Sequence, residues 1–228
     1  MPSAYIYDET NVLNVTQEWQ RIVRQLYNHP SIMAWVPINE SWGVEQLRNP
    51  EGLEKRPRFL LDALYNTTKA LDRTRLVVGN DGWEAATTDI IAIHEYSQDA
   101  NDVIARYKKF QADRHGNPFS HGRPIILPEY QYEGQPIMMT EYGGVKVEEQ
   151  QAEGWGYGQA AKSYDEMLAR MKELTDAILN EPELWGYCYT QLTDVQQEVN
   201  GLFTFDRKPK VDVKRYAEVF GRNPEKLK

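Results

Sequence analysis

The stretch that most constrains the fold runs from Asn28 to Gly43 and reads NHPSIMAWVPINESWG. It contains an apolar segment, Ile32 to Ile38, that ends in Asn39 and Glu40. A continuous apolar segment of this length is typical of a parallel strand that is covered on both faces. Glutamate is seldom buried without a partner, so a carboxylate at the end of such a strand requires an explanation. In a barrel of parallel strands the carboxyl ends form the floor of the active site, and we expect Glu40 to lie there.

A second stretch has the same organisation. Residues Pro136 to Gly144, PIMMTEYGG, form an apolar segment that ends in Glu141. Glu40 and Glu141 are therefore the candidate catalytic residues. The segment PIILPEY at residues 124–130 also ends in a glutamate, Glu129, but Pro128 interrupts it, and proline disfavours the interior of a strand. We therefore prefer Glu141 to Glu129 as the partner of Glu40.

Helical and strand patterns alternate along the whole chain. Strands are predicted at residues 4–7, 32–38, 76–79, 90–93, 137–140 and 185–189. Helices are predicted at about 15–28, with Asn14 as the N-cap, and at 57–71, 101–114, 163–180 and 213–221, and a long loop at 115–135. This alternation predicts an α/β fold with a parallel sheet or barrel. A (β/α)8 barrel has eight strands and about 250 residues. The six strands and 228 residues here predict a single domain that is an incomplete barrel of this type.

Composition and spacing argue against several classes of partner. The net charge of −8 disfavours binding to nucleic acid, and no apolar run is long enough to cross a membrane. Cys188 is the sole cysteine and the 4 histidines are scattered, so we expect no disulfide and no metal site. No signal peptide is visible, and the cellular compartment remains open.

A pair of carboxylates suits the cleavage of a glycosidic bond. One carboxylic acid protonates the leaving oxygen, and the other carboxylate attacks the anomeric carbon or activates water. Tyr96 and Tyr142 are expected to donate hydrogen bonds to a nucleophilic carboxylate. Polar and aromatic groups near the strand ends are candidates for binding the sugar: Asn39, Trp42, Asn80, Asp81, Trp83, His94, Tyr96, Tyr142, Gln191 and Asp194. The pattern alone also allows both glutamates to be ion-paired residues on a rim.

The sequence resembles glycoside hydrolase family two, which includes β-galactosidases, β-glucuronidases and β-mannosidases. The matching segments are Tyr7–Asn11, Asn28–Ser31, Asn39–Glu40 and Thr140–Gly143. Within the family, residues 80–84 and 189–194 resemble a branch of bacterial members. The resemblance covers nearly the whole chain.

The resemblance implies a TIM barrel and specific roles for the two glutamates. Glu40, at the fourth barrel strand, would be the general acid/base and protonated at rest, and Glu141, at the seventh, the nucleophile. Asn39 would contact the sugar beside the scissile bond of a β-glycoside. Hydrolysis would retain configuration through a covalent glycosyl-enzyme intermediate, and this chemistry requires no metal or organic cofactor.

The sequence also departs from the family pattern. It begins at what matches the third barrel strand, so we expect residues 1–228 to be the C-terminal portion of the barrel, with the β-sandwich domains and the first two strands absent. An open barrel exposes strand edges, so we expect a homo-oligomer that covers them. The alternative is an inactive fragment that binds carbohydrate or has a structural role. The identity of the sugar is left open.

Overall fold

The computed structural model describes residues 7–42, 56–148 and 153–221. In these ranges helices and strands alternate as follows: α1 (Glu9–Leu26), β1 (Ala34–Trp35), α2 (Arg56–Leu71), β2 (Leu76–Val77), β3 (Ile91–Glu95), α3 (Ala100–Ala112), β4 (Ile137–Gly143), α4 (Tyr164–Asn180), β5 (Leu184–Thr190) and α5 (Val213–Phe220). β1 and β2 pair in parallel, and β3, β4 and β5 form a second sheet in that order. The predicted alternation is confirmed. The first predicted strand, at residues 4–7, lies outside the described residues apart from Tyr7.

The chain divides into two compact units, and β3 and β4 each run from the first unit into the second. The first unit comprises Met1–Ile93, Asp113–Asn117 and Arg123–Met138. The second comprises His94–Ala112, Pro118–Gly122 and Met139–Lys228. Each unit has its own hydrophobic core. Among the described helices, none is both long enough and apolar enough to cross a lipid bilayer.

β1 is shorter than the sequence predicts. Pro37 carries no N–H group, so the strand ladder that includes Trp35 does not continue regularly through it. Pairing resumes beyond the proline, where the Asp81 N–H donates to the Ile38 carbonyl at 3.0 Å. Met33 is 82% exposed, so the prediction that this segment is covered on both faces is wrong at its beginning.

α1 begins at Glu9, well before the predicted start at about residue 15. The Asp8 side chain is the N-cap, because it accepts hydrogen bonds from Asn11 N at 2.7 Å and Asn11 Nδ2 at 3.0 Å. The helix runs from Glu9 through Asn14 to Leu26, so Asn14 lies within the helix and does not cap it. The predicted cap at Asn14 is therefore wrong.

Apolar residues at helical spacing predict an inner face for each helix, and those of α3 and α4 are confirmed. Val103, Tyr107 and Phe110 are buried in α3, and four predicted residues are buried in α4: Met167, Met171, Leu174 and Ile178. Other inward predictions fail, because Leu71 of α2 is 40% exposed, Val213 of α5 is 51% exposed and Ala217 of α5 is also exposed. Leu71 and Val213 lie at helix ends, where the predicted apolar stripe extends past the packed turns.

The predicted loop at residues 115–135 contains a buried extended segment. Ile125, Ile126 and Leu127 are fully buried, and Ile126 pairs with Ala85 in a parallel bridge. The Ala85 N–H donates to the Ile125 carbonyl at 2.8 Å, and the Leu127 N–H donates to the Ala85 carbonyl at 3.0 Å. Prolines at 124 and 128 flank the segment and limit its ladder.

The core of the first unit contains a buried carboxylate that offers a test of the fold. Trp35 Nε1 donates to Asp72 Oδ2 at 2.9 Å, and Arg75 Nη1 donates to the same oxygen at 2.6 Å. Burial raises the pKa of the Asp72 carboxyl, but hydrogen bonds from Thr74, Trp35 and Arg75 outweigh burial and hold that pKa well below its usual range. The ionised form is therefore the one that stabilises the folded state.

We predict that Asp72→Asn lowers the free energy of unfolding by about 2 kcal/mol at pH 7, because hydrogen bonds to a charged group are lost. The pKa is lower in the folded than in the unfolded chain, so this stabilisation is present above the unfolded value of about 3.9 and fades as the pH falls. Urea unfolding of wild type and variant should therefore converge between about pH 5 and pH 2. Asp206→Asn, which removes an exposed partner of Lys208, should have little effect at any pH. A pH-independent difference for Asp72→Asn would contradict the prediction.

A second prediction concerns the glycine that ends β4. Gly143 and Gly134 both have positive φ, 86° and 90°. A Cβ at Gly143 would lie 2.2 Å from the Tyr189 ring, whereas a Cβ at Gly134 would meet nothing within 4 Å. Both alanine variants should lose about 1–2 kcal/mol of stability from the backbone. Gly143→Ala should lose about 1–3 kcal/mol more from the clash. Thermal unfolding of the two variants measures the difference, and equal losses would refute the steric part.

Candidate active site

Glu40 lies in a tight turn just after β1. The Ser41 N–H donates to the Asn39 carbonyl at 2.8 Å, and Glu40 and Ser41 both adopt left-handed backbone conformations, with φ of 61° and 48°. Non-glycine residues rarely adopt these angles, and such strain persists only when the surroundings impose it. Here the Glu40 N–H donates to the Asp81 carbonyl at 2.9 Å, and Asn39 bridges to Asp81 in parallel. The end of the neighbouring chain segment therefore fixes the position of Glu40.

The Glu40 carboxylate is half-buried and receives a hydrogen bond from an indole. Trp42 Nε1 donates to Glu40 Oε2 at 2.8 Å. The Trp42 ring packs edge-on against Trp83, with centroids 5.2 Å apart and planes at 79°. Trp42 itself is 39% exposed, and Trp83 is buried. Trp42 therefore contacts the carboxylate directly, whereas Trp83 supports it from inside the fold.

A buried polar network lies behind this turn, and sequence reasoning missed it. Arg123 Nη1 donates to Glu84 Oε2 at 3.0 Å, and Ser41 Oγ donates to the same oxygen at 2.7 Å. Asn80 Nδ2 donates to Ser41 Oγ at 3.0 Å and to the Trp83 carbonyl at 2.8 Å. Glu84 stands in one of the segments that resemble the glycosidase family. Arg123 stands in the stretch predicted to be a loop, where nothing indicated a buried charge.

Two predicted sugar-binding residues of the first unit are buried. Asn80 is 1% exposed and Trp83 is 3% exposed, and the amide of Asn80 holds the turn. Their contact with a sugar stays a prediction. Asn39 and Asp81 pair with each other in a parallel bridge beside Glu40. Their predicted contacts with the sugar stay predictions.

Glu141 lies on β4 in the second unit, where two side chains contact the same carboxylate oxygen. The Tyr96 hydroxyl donates to Glu141 Oε2, and His94 Nδ1 lies 3.3 Å from that oxygen. Burial, and then the nearby charge of Glu141, raise the pKa of the Tyr96 hydroxyl, so it remains a donor at neutral pH. His94 is completely buried, whereas the Glu141 side chain is 26% exposed. The predicted contact between Tyr96 and the carboxylate is confirmed.

Tyr96 is itself held by an aromatic residue that the sequence analysis did not single out. The rings of Tyr96 and Tyr157 stack with centroids 3.4 Å apart and planes within 6°. The Tyr157 N–H donates to the Gly144 carbonyl at 2.8 Å, which places the ring just beyond β4. Trp155 meets Tyr157 edge-on at 5.4 Å and is 44% exposed. Ring contacts thus lead from Tyr96, which touches Glu141, through Tyr157 to the partly exposed ring of Trp155.

Tyr142 does not contact the nucleophile candidate, contrary to the prediction. Successive side chains of a strand point to opposite faces, so Glu141 and Tyr142 cannot both face the same site. The Tyr142 hydroxyl lies 2.7 Å from Thr175 Oγ1, and its ring packs edge-on against Tyr189. Tyr142 is therefore a core residue of the second unit.

Two further predicted sugar-binding residues follow β5. Asp194 is 5% exposed and accepts hydrogen bonds from Lys210 Nζ at 2.7 Å and Gly201 N at 2.8 Å. Its carboxylate therefore joins two segments of the second unit, and its predicted contact with a sugar stays a prediction. Gln191 Nε2 donates to Asn200 Oδ1 at 2.8 Å, and its side chain is partly exposed. Contact between Gln191 and a ligand remains a prediction.

Solved structures with the same fold include several glycosidases. A putative β-galactosidase from Bacteroides fragilis matches with a TM-score of 0.68 and 19% identity, over 97% of this chain and 33% of that one. A β-glucuronidase from Bacteroides uniformis matches with a TM-score of 0.64 and 19% identity, over 91% and 26%. A β-galacturonidase from Eisenbergiella tayi matches with a TM-score of 0.64 and 16% identity, over 93% and 37%.

The chain thus spans between 26% and 37% of the length of these structures. No curated protein sequence matches it. The family model described as "Glycosyl hydrolases family 2, TIM barrel domain" matches residues 4–223, which is nearly the whole chain. The protein therefore belongs to glycosyl hydrolase family 2 and carries the TIM barrel domain of that family.

Proposed function

We propose that this chain carries the catalytic carboxylates of a retaining β-glycosidase, with Glu141 as the nucleophile and Glu40 as the general acid/base. The observation that carries the proposal is the environment of Glu141. A nucleophilic carboxylate must be ionised and held in one orientation, and hydrogen bonds to the charged form achieve both. The Tyr96 hydroxyl donates to Glu141 Oε2, and His94 Nδ1 lies 3.3 Å from it.

The environment of Glu40 suits a group that must gain and lose a proton. Its partner Trp42 is a neutral donor, and an indole N–H can donate to a carboxylate or to the carbonyl oxygen of a carboxylic acid. Its partial exposure gives it access to the water required for the second step. The indole therefore orients Glu40 in both protonation states.

The proposed reaction has two displacements. In the first, Glu141 attacks the anomeric carbon while the glycosidic bond breaks and Glu40 gives its proton to the leaving oxygen. This produces a covalent glycosyl-enzyme ester and the free alcohol. In the second, Glu40 takes a proton from water, whose oxygen attacks the anomeric carbon and releases Glu141. The product keeps the β configuration, and both carboxyl groups return to their starting protonation states.

The proposed substrate class is a β-linked glycoside, and its sugar is not specified by these residues. The solved structures of similar fold are named as enzymes for different sugars, a galactoside, a glucuronide and a galacturonide. What they share is the type of bond. Two partly exposed tryptophans could pack against a sugar or its leaving group: Trp42, which contacts Glu40, and Trp155, which meets Tyr157 edge-on. We propose no nucleic acid, membrane or cofactor as a partner.

The first test of the function is replacement of each glutamate. Glu141→Gln should abolish hydrolysis of aryl β-glycosides, and Glu40→Gln should lower it by about 10²–10⁴-fold for substrates with poor leaving groups. Glu129→Gln is the matched control, because Glu129 also follows an apolar segment but is ion-paired with Arg58. This variant should retain activity, and thermal unfolding should show that all three variants fold.

The stereochemistry of the product gives an independent check. Proton NMR of the first product should show the β anomer, and a 2-deoxy-2-fluoro glycoside should label Glu141 covalently. In retaining enzymes the two carboxyl groups lie about 5–5.5 Å apart, and a crystal structure of the labelled protein would measure this distance. An α product would contradict retention. A labelled residue other than Glu141 would contradict the assignment of the nucleophile. Sugar binding without turnover would favour a carbohydrate-binding role.

A further prediction isolates the hydroxyl of Tyr96. Tyr96→Phe should lower kcat/KM by roughly tenfold to a hundredfold, because a hydrogen bond to a charged group is worth about 1.5–3 kcal/mol. The ring and its stacking on Tyr157 are preserved, so the folded state should change little. Tyr27→Phe, which removes a hydroxyl from an exposed ring, is the control. Equal activity of the two variants would show that the hydroxyl does not serve the nucleophile.

A further inference from the structure

We propose that Arg123 and Glu84 are positioning residues for the acid/base step, because their buried ion pair braces Trp42, which orients Glu40. The proposal rests on the role proposed for Glu40. They act on Glu40 through Trp42 and Ser41. All five residues belong to the first unit.

The ion pair is unusual because both partners are withdrawn from solvent. The side chains of Arg123 and Glu84 are 1% and 0% exposed, and Arg123 Nη1 donates to Glu84 Oε2 at 3.0 Å. Taking two charges out of water is costly, and the attraction between them offsets this only partly. A buried ion pair is therefore weak evidence for a purely stabilising role, and we assign this one a role in fixing the local geometry, as buried polar groups have in some other proteins.

The cationic side of the pair supports the indole. The Arg123 guanidinium carbon lies 4.1 Å from the Trp42 ring centroid and 5.2 Å from that of Trp83. A planar guanidinium stacks on an aromatic face, whereas a lysine ammonium is a compact point charge without a flat surface. Since Trp42 is partly exposed, this contact from the buried side limits the positions its ring can take. The direction of the Nε1–H bond toward Glu40 follows from the ring position.

The anionic side of the pair supports the backbone. Glu84 Oε2 accepts a hydrogen bond from Ser41 Oγ at 2.7 Å, and Ser41 is the residue that follows Glu40. Glu84 itself has a left-handed backbone with φ of 51°, and its N–H donates to the Pro124 carbonyl at 2.8 Å. One carboxylate oxygen thus joins Arg123 to the strained turn. The ion pair thus contacts both the backbone turn at Glu40 and the indole donor Trp42. Together these two groups set the direction of the Glu40 side chain.

The test uses substitutions that keep the charge where possible. Arg123→Lys keeps a cation beside Glu84 but removes the planar face below Trp42. Arg58→Lys is the matched control, because Arg58 is also a buried arginine of the first unit, is paired with Glu129 and lies in α2. The double variant Arg123→Met/Glu84→Gln removes both buried charges together and serves if Arg123→Lys does not fold.

The first readout is the dependence of kcat/KM on the leaving group. Acid assistance matters most for poor leaving groups such as phenol and least for 2,4-dinitrophenol. Arg123→Lys should lower kcat/KM for the phenyl glycoside by up to about a hundredfold. The dinitrophenyl glycoside should be affected severalfold less, as for Glu40→Gln. A merely structural defect would lower both substrates alike, and that outcome would overturn the proposal.

The second readout needs no turnover. In a ¹H–¹⁵N spectrum the Trp42 indole signal, assigned with Trp42→Phe, should move in Arg123→Lys and in Glu40→Gln but not in Arg58→Lys. The exposed Trp185 indole is the internal reference, since its side chain is 78% exposed. An unchanged Trp42 signal in Arg123→Lys and in the double variant would overturn the proposal.

The two readouts also separate this proposal from the proposed function. If Glu40→Gln leaves the leaving-group dependence unchanged while Arg123→Lys moves the Trp42 signal, the acid/base role of Glu40 is wrong but the bracing of Trp42 is correct. If Glu40→Gln changes that dependence and Arg123→Lys changes neither readout, the function stands and the positioning role is refuted.

Discussion

The conformation of the first half of the candidate site depends on a single turn at Asn39, Glu40 and Ser41. Two consecutive left-handed residues would not persist in an isolated chain, because each costs about 1–2 kcal/mol. Backbone hydrogen bonds to Asp81 and the buried acceptor Glu84 impose the turn from the neighbouring segment. The apolar packing of β1 and β2 below it provides the rigid base. The fold therefore maintains the strained backbone of this turn, and the turn directs the Glu40 carboxylate toward the Trp42 indole.

In the second unit the side chains of β4 alternate between two faces, so the candidate nucleophile lies on one face and a core residue on the other. Glu141 faces Tyr96 and His94, and the next residue, Tyr142, faces Thr175 of α4. A one-residue shift in register would exchange them, so the burial of Tyr142 also fixes the direction of Glu141. This is why Gly143 matters: the close approach of the Tyr189 ring leaves no space for a Cβ at the end of the strand. The packing that buries Tyr142 therefore also determines the orientation of Glu141, the nucleophile candidate.

Sequence pattern predicted the features of the fold that depend on residues close together in the chain. The helical stripe of α4 and the apolar strand that carries Glu141 follow from local pattern, and both are present, although the strand continues past Glu141 to Gly143. The start of α1 was predicted wrongly because Asn14 has a side chain of the capping type, and only the hydrogen bonds show that Asp8 caps the helix. The role of Arg123 could not be predicted, because it depends on a contact with Glu84 across 39 residues of sequence. The burial of four predicted sugar-binding residues could not be predicted for the same reason, because it depends on contacts that are distant in sequence: Asn80, Trp83, Tyr142 and Asp194.

Two tryptophans in the first unit hold carboxylates in different surroundings. Trp35 and Trp42 each donate their indole N–H to a carboxylate, Asp72 and Glu40 respectively. At Asp72 hydrogen bonds from Thr74, Trp35 and Arg75 outweigh burial and hold the pKa of the carboxyl well below its usual range, so that group is ionised and serves stability. At Glu40 the indole is supported by the flat face of Arg123, whose Nη1 donates to Glu84. The first arrangement stabilises a charge, whereas the second, as we propose, sets the direction of the carboxyl group that transfers the proton.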